Sequence, residues 1–485
     1  MTNNVLNPLV RQTVALVIEG PGGSGQGSGI LVSLAGLGLK EGATIPRAKG
    51  PDMVLKNDDV LIVTCAHCIP GGIRAMPVEL YNGERAIADA LVVDNRADVA
   101  LMKIRDFEWD SANGFANAHD LAPVKVGKSS QVSQGARILT VGAPLMADYR
   151  FSLHSGVISK TKAYNPLSIL PTFVIDAQIN PGNSGGLLAL EETGEWIGMN
   201  SSGLFGAGGG NRGLNHALRV GEIRFWIKRM VVHKKVVRDG ITSMMFLQLG
   251  ELVKKKLGLK TPYGAFIAAI ADDDPGVGQV LQRTDVIQRI KIKRDAKDAA
   301  GNVSYKVHKV IEVETPQDCV YGFQRAAGLH VDIDIWRSGA TQTVSCKVPI
   351  ELMPFSNQAS FDPFGMELQT YRGNKGVQVA NIHPQCPLYG ALDRHDVITG
   401  VEDPNDPTSI LPVPDSDTFY KLAQAHNGKP FWIEREDLKI ILPLYDVRQN
   451  PQHLSKVLGI EMEPDLFDDM PEGDNFYDHL IRWNN

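Results

Sequence analysis

The sequence predicts a mainly β chain: an all-β barrel or sandwich domain, then two smaller modules of one kind. Three observations carry that prediction. Short apolar runs separated by turn residues occupy residues 12 to 230, apolar spacing turns helical near 218–236, and a weak internal repeat follows.

The β-runs are TVALVIEG, GSGILVSL, DVLIVTCA, AIADALVVD, DVALMKI, ARILTVGA and TFVIDAQI, with Gly, Pro and Asn between them. Such even punctuation is the pattern of a barrel or sandwich. Between the second and third runs, residues 35–58 are polar and rich in breakers, which predicts a surface excursion. LRVGEIRFWIKRMVVHKK mixes apolar and basic residues at helical spacing, so a helix closes the first domain. The repeat pairs GAFIAAIADDDPGVGQVLQRTDVIQRI from Gly264 with GVQVANIHPQCPLYGALDRHDVITGV from Gly376. Each copy opens on glycine, places a proline after the β-run (Pro275, Pro387), and reaches Asp-Val-Ile at Asp285 and Asp396. The expected domains are therefore 1–232, 233–352 and 353–446, with an acidic, Pro-containing extension over 447–485 that cannot bury much.

Composition excludes several function classes. With 485 residues, 43% hydrophobic and 21% charged, the chain has the balance of a multi-domain globular protein. A formal net charge of −6 offers no argument for nucleic acid, and no apolar stretch is long enough to span a membrane. Pro8, Arg11 and Gln12 interrupt the start where a signal peptide needs its apolar run, so the expectation as numbered is a cytoplasmic location, or a periplasmic or organellar one if a leader has been removed. Five cysteines (Cys65, Cys68, Cys319, Cys346, Cys386) are too few and too odd for a disulfide framework, which fits a reducing compartment. Cys65 and Cys68 flank His67 as a CxxC, but no second ligand pair stands at zinc spacing; the expectation is no metal and no cofactor.

The chemistry concentrates in IDAQINPGNSGGLLAL, where Ser184 sits in Gly-Asn-Ser-Gly-Gly after a β-run. Glycines beside a nucleophilic serine let the backbone turn tightly and leave its N–H groups bare toward a developing oxyanion. Gly182 and Ser184 are the expected donors, with Asn183 between them. A serine hydroxyl needs an imidazole to take its proton and a carboxylate to orient that imidazole. His67 closes a β-run among small neighbours in LIVTCAHCI, and Asp98 opens DVALMKI; Asp94, four residues earlier, is the competitor for the acidic role. The chain order His, Asp, Ser is that of chymotrypsin-type barrels, not of subtilisins or α/β-hydrolases.

Taken together, TCAHC, DVALMKI and NPGNSGG followed by paired modules resemble the HtrA (DegP/Deg) serine proteases, over most of residues 12–445. The resemblance implies a chymotrypsin-like double β-barrel, two PDZ-like α+β domains, trimer-based homo-oligomers, and degradation of unfolded or partly folded proteins. It also implies that Gln178 and Ile179 lie at the base of the primary specificity pocket. Asn200, Ser201 and Ser202 would pair with substrate backbone, and Leu214 would narrow the slot, so cleavage is expected after small or medium apolar residues. The peptide-binding loop of the first module would be Ile241, Thr242, Ser243 and Met244 with Arg238 as an electrostatic helper to a peptide C-terminus; in the second it would lie near Phe364, Gly365, Met366 and Glu367. A neutral Asn183 stands where secreted trypsin-like enzymes carry an aspartate that pairs with a freshly cut N-terminus, so control would come from loop ordering over residues 143–156. The sequence departs from the family in GAPLMADYR, in His216 and in the long excursion. Two other functions share these residues: a chaperone or scaffold built on the modules, and a processing protease with one dedicated substrate.

Overall fold

The computed structural model describes residues 8–18, 25–47, 51–69, 74–110, 121–144, 150–165, 167–205, 211–239, 244–249, 254–255, 258–259, 263–270, 277–297, 303–353, 355, 366–371, 376–382, 392, 396–426, 431–435 and 438–442. Two closed six-stranded barrels come first. Barrel one comprises β1 (Thr13–Ile18), β2 (Gly25–Val32), β3 (Asp59–Thr64), β4 (Ala75–Glu79), β5 (Arg85–Asp94) and β6 (Val99–Glu108), in the order β1-β2-β3-β6-β5-β4. It closes where Ala15 and Leu16 of β1 meet Glu79 and Val78 of β4. β3 is buried at all six positions, which is why DVLIVT reads as a continuous apolar run and not as an alternation.

Barrel two comprises β7 (Arg137–Gly142), β8 (Ser152–Asn165), β9 (Ser168–Ile175), β10 (Leu187–Leu190), β11 (Trp196–Phe205) and β12 (Asn211–Arg219), ordered β8-β9-β12-β11-β10-β7. Its core gathers Ile138, Ile158, Phe173, Ile175, Leu188, Ile197 and Ala217. Antiparallel closure leaves no sheet edge, so the strand ends and loops are free to carry a site. Helix α1 (Val220–His233) follows and buries Val220, Ile223, Trp226, Ile227 and Met230.

The excursion at 35–58 differs from the surface loop expected. Leu34, Leu37, Ile45 and Leu55 are at most 1% exposed, and a small hairpin pairs Thr44–Ile45 with Met53–Val54. Leucines spaced among breakers escape a strand or helix template yet still pack, because burial needs neither.

The first module is entered by β13 (Val236–Arg238) and left by β20 (Glu351–Met353), which pair with each other. Between them lie β14 (Met244–Gln248), β15 (Ala265–Ile270), β16 (Val286–Lys297), β17 (Val303–Glu312), α2 (Pro316–Ala326), β18 (His330–Arg337) and β19 (Ala340–Lys347). The sheet order is β14-β15-β16-β18-β19, with β17 pairing β16. Helix α2 starts with a capping box between Thr315 and Asp318. The same Asp318 carboxylate accepts from Tyr164 Oη and Lys162 Nζ of β8, each at 2.7 Å, tying the helix to barrel two. At its other end Arg229 of α1 donates to the carbonyls of Gln324 (2.8 Å) and Ala327 (2.7 Å). Most of the barrels and the first module fall in one compact unit, residues 1–16, 26–68 and 76–355.

The second module belongs to a separate unit. It has β21 (Met366–Thr370), β22 (Val377–Ile382), β23 (Val397–Asp403), β24 (Asp406–Pro412), α3 (Ser416–Ala425), β25 (Phe431–Arg435) and β26 (Leu438–Leu442). Its order β21-β22-β23-β25-β26, with β24 pairing β23, repeats that of the first module. The internal repeat has a physical origin in the glycines that open it. Gly264 and Gly376 both take φ of 150°, and a Cβ there would stand 2.5 Å and 2.7 Å from Val286 and Val397 of the neighbouring strand. No helix among the described residues is long and apolar enough to cross a membrane.

Candidate active site

His67 lies in a 3-10 turn (Ala66–Cys68) just past the end of β3. Its Nδ1 is 2.8 Å from Asp98 Oδ1, and its backbone N–H donates to the same oxygen at 3.2 Å. Asp98 is 1% exposed and holds a left-handed φ of 55° immediately before β6, a sparse conformation for a non-glycine residue. Its other oxygen, Oδ2, accepts from Ser201 Oγ at 2.8 Å, and Asn165 Nδ2 donates to that hydroxyl at 3.3 Å. The carboxylate is thus surrounded by donors, and the His67 ring, 36% exposed, remains open to solvent on its far side.

Ser184 sits on the turn between β9 and β10. Asn183 N–H donates to Asn180 O at 2.9 Å and Gly186 N–H to Asn183 O at 3.0 Å, closing the turn around the hydroxyl. Gly185 has φ of 83°, and a Cβ there would lie 2.0 Å from Ser28 O, so only glycine fits. Ser28 fastens the turn to barrel one: its N–H donates to Ser184 O at 2.7 Å and its hydroxyl to Gly182 O at 2.7 Å. The N–H groups of Gly182 and Ser184 have no hydrogen-bond acceptor among the described residues, as donors reserved for an oxyanion must. The Ser184 hydroxyl itself donates to Ser201 O at 2.8 Å, not to the imidazole.

Burial works against a charged imidazole, but its hydrogen bonds to Asp98 and Cys68 hold His67 well above its ordinary 6.5. A proton therefore leaves this ring only at raised pH, and the base form grows as pH increases. The expected kcat/KM climbs with pH through a midpoint above 6.5, and the residual activity of Asp98→Asn has a lower midpoint; a pH-rate profile of both checks this.

Cys65 and Cys68 are free thiols, as are Cys319 and Cys346. Burial pushes the Cys65 thiol up, which keeps it protonated, and it donates to Asn200 O at 3.3 Å. Ligand atoms of Cys65, His67 and Asp98 lie within 4.8 Å of one another, a spacing that could hold a metal ion. Two of the three are already spent on the His67–Asp98 hydrogen bond, so a metal there would displace it.

The residues expected to set specificity divide. Gln178 is exposed and contacts Asn180, Ser202 is half-buried beside His216 across β11 and β12, and Leu214 is 48% exposed. Ile179, expected at a pocket base, is 2% exposed and packs into the core of barrel two, because the alternation of the chain turns it inward. His216 is held by Thr172 Oγ1 at 2.9 Å. Arg238, expected beside a peptide carboxylate, is instead bidentate on buried Asp94 at 2.7 and 2.8 Å. Ile241, Thr242 and Ser243 lie outside the described residues, as do Phe364, Gly365, residues 145–149, Cys386 and the 447–485 extension; Met244 begins β14, and Met366 is fully buried in the second module. The roles of Ser28 and of the Ser201 hydroxyl were not legible in sequence, since each acts on a partner far along the chain.

Comparison with known proteins agrees with this geometry. Residues 53–199 match the trypsin-like peptidase domain family. A "Probable periplasmic serine endoprotease DegP-like" from Pseudomonas fulva is 31% identical over 211 residues, 43% of this chain and 40% of the relative. Its counterpart in Pseudomonas savastanoi pv. phaseolicola is 29% identical over 330 residues, 67% of this chain and 60% of the relative. One from Halomonas elongata is 28% identical over 245 residues, 50% of this chain and 48% of the relative. The chain thus spans about half the length of these relatives. The solved structure "HtrA-type protease AlgW with tripeptide" matches the fold at a TM-score of 0.50 and 22% identity, covering 72% of this chain and 96% of that one. The relatives are named periplasmic, which overturns the expectation of a cytoplasmic location; an interrupted apolar start is a weak guide to compartment. Residues 53–199 thus match a trypsin-like peptidase domain, two closed barrels agree with that match, and the chain is similar to DegP-like serine endoproteases.

Proposed function

We propose that the whole chain is a periplasmic serine endopeptidase that hydrolyses unfolded or partly folded proteins through an acyl-enzyme, without ATP. One observation carries this reading: Asp98 orients His67 while Ser184, on a turn fit only for glycine at 185, stands beside two unengaged N–H groups. The Ser201 carbonyl that now accepts the Ser184 hydroxyl lies on β11, the strand assigned to substrate backbone. An incoming backbone N–H takes that carbonyl and frees the hydroxyl to turn toward His67. His67 removes its proton, the oxygen attacks the scissile carbonyl, and the oxyanion is received by Gly182 and Ser184 N–H. His67 then protonates the leaving amine, and water repeats the sequence on the acyl-enzyme.

Gln178 is a neutral amide and Leu214 an exposed apolar neighbour, which supports cleavage after Val, Ala or Ile. The modules are read as PDZ-like binders of peptide C-termini. Among the described residues β14 is an edge strand, a place where an added peptide strand would pair, and its Phe246 stacks on Phe323 of α2 with centroids 6.1 Å apart. The assembly is read as a homotrimer or a multiple of one. The test is hydrolysis of casein with product sequencing, alongside fluorophosphonate labelling of Ser184. Labelling with cleavage after small apolar residues supports the reading; cleavage after Arg or Lys overturns the specificity, and absence of both labelling and hydrolysis overturns the enzyme in favour of a scaffold.

A further inference from the structure

Asp94, the rejected competitor for the acidic role, has a buried carboxylate that meets five donors. Oδ1 accepts from Arg96 N–H (3.0 Å), Ala97 N–H (3.1 Å) and Arg238 Nη2 (2.7 Å), while Oδ2 accepts from Arg238 Nη1 (2.8 Å) and Trp226 Nε1 (3.1 Å). The two backbone donors belong to the turn that ends in Asp98. The other side of that turn is tied to the start of β9: Ser168 Oγ donates to Ala97 O at 2.7 Å, and Ile169 N–H to Arg96 O at 3.1 Å. The left-handed Asp98 is thus presented by a short loop gripped from both sides, and the Asp94 grip requires a buried carboxylate to stay ionised.

The counter-ion comes from outside the barrels. Arg238 is the last residue of β13, whose partner β20 is the strand by which the chain leaves the first module. Gln324 of α2 brackets it, donating to Val237 O at 2.5 Å and accepting from Asp239 N–H at 3.2 Å. Arg96 lies close enough to feel the charges of Asp94, Arg238, Asp239 and Glu351. A carboxylate with no accessible water needs this guanidinium; without it, the group protonates or the turn rearranges to reach solvent.

We propose that Arg238 is a positioning residue of the protease: by pairing with Asp94 it fixes the turn that aims Asp98 at His67, so that the entry strand of the first module completes the catalytic geometry. The proposal rests on the serine-peptidase reading of His67, Asp98 and Ser184. It makes the module part of the active centre, and it explains why an arginine at the start of a module has its charge turned into barrel one.

The test uses the full chain with Arg238→Gln, Arg238→Lys and the double variant Asp94→Asn/Arg238→Gln. Arg238→Gln is expected to lower kcat and the fluorophosphonate labelling rate of Ser184 by about a hundredfold, the scale of a displacement near 1 Å, with KM for a short peptide little changed. Arg238→Lys recovers part of the loss through its charge. The double variant also recovers part, since a neutral amide in place of the Asp94 carboxylate can still accept from the turn without needing a cation. Rates are counted per titrated active site, so that unfolded molecules do not contribute. A second readout does not depend on turnover: in a Ser184→Ala background, the downfield Nδ1 proton of His67 should be seen by NMR and should weaken or vanish on adding Arg238→Gln. An unchanged kcat per titrated site together with an unchanged His67 resonance overturns the proposal. Loss of the resonance in a chain that never labels at Ser184 would instead uphold the positioning and defeat the protease reading.

Discussion

Ser184→Ala is expected to abolish proteolysis, lowering turnover by about a millionfold while leaving the fold in place. Among the described residues the hydroxyl makes one hydrogen bond, to Ser201 O, on a part-buried surface, so its loss costs the turn little. The turn is held by other contacts: Ser28 fastens Ser184 O and Gly182 O, and Gly185 N–H donates to Asn200 O at 2.7 Å. The oxyanion donors also survive, because they are backbone groups. Residual hydrolysis of about 10³–10⁴ over water is the most they supply without a nucleophile. Casein hydrolysis by wild type and variant, with thermal unfolding of both, checks the claim; equal hydrolysis by the two would falsify the assignment of Ser184.

Asp98→Asn should come next, with kcat reduced about ten-thousandfold. Every group facing this side chain is a donor: His67 N–H, His67 Nδ1–H and the Ser201 hydroxyl. An asparagine offers one acceptor oxygen and one NH₂, so at least one donor meets another. If the amide nitrogen faces Nδ1, the imidazole is driven to carry its proton on Nε2, where it cannot accept one from Ser184. If the amide turns the other way, Ser201 must swing its hydroxyl toward another acceptor and its grip on the site loosens. In both cases substrate binding is largely spared, so KM should change far less than kcat. Steady-state kinetics on one peptide separates the two effects, and a kcat within about tenfold of wild type would remove Asp98 from the triad.

The same residues show where a sequence can be read and where it cannot. TCAHC, DVALMKI and NPGNSGG each announce a local need: a histidine ending a buried strand, a carboxylate at a strand start, a serine on a glycine-bounded turn. Such needs are met within a few residues, so they leave a local trace. Ile179 is buried in one cluster with Ile138 and Ile158, because a side chain's face depends on where strand alternation resumes after a turn. Arg238 was misread for a related cause. Its position before the first module is compatible with a peptide carboxylate, and only the folded chain brings Asp94 to it.

By itself the sequence determined the class of fold, the candidate histidine, aspartate and serine with their order, and the repetition of the modules, since periodicity, turn chemistry and the glycines at 264 and 376 are local constraints. Tertiary structure alone decided that Ser201 and Asn165 buttress Asp98, that Ser28 anchors the turn of Ser184, that the excursion at 35–58 is packed, and that Arg238 pairs with Asp94. Each of these joins groups distant in the chain. Their partnership follows from closure of the barrels and docking of the module, and no spacing along the sequence encodes it.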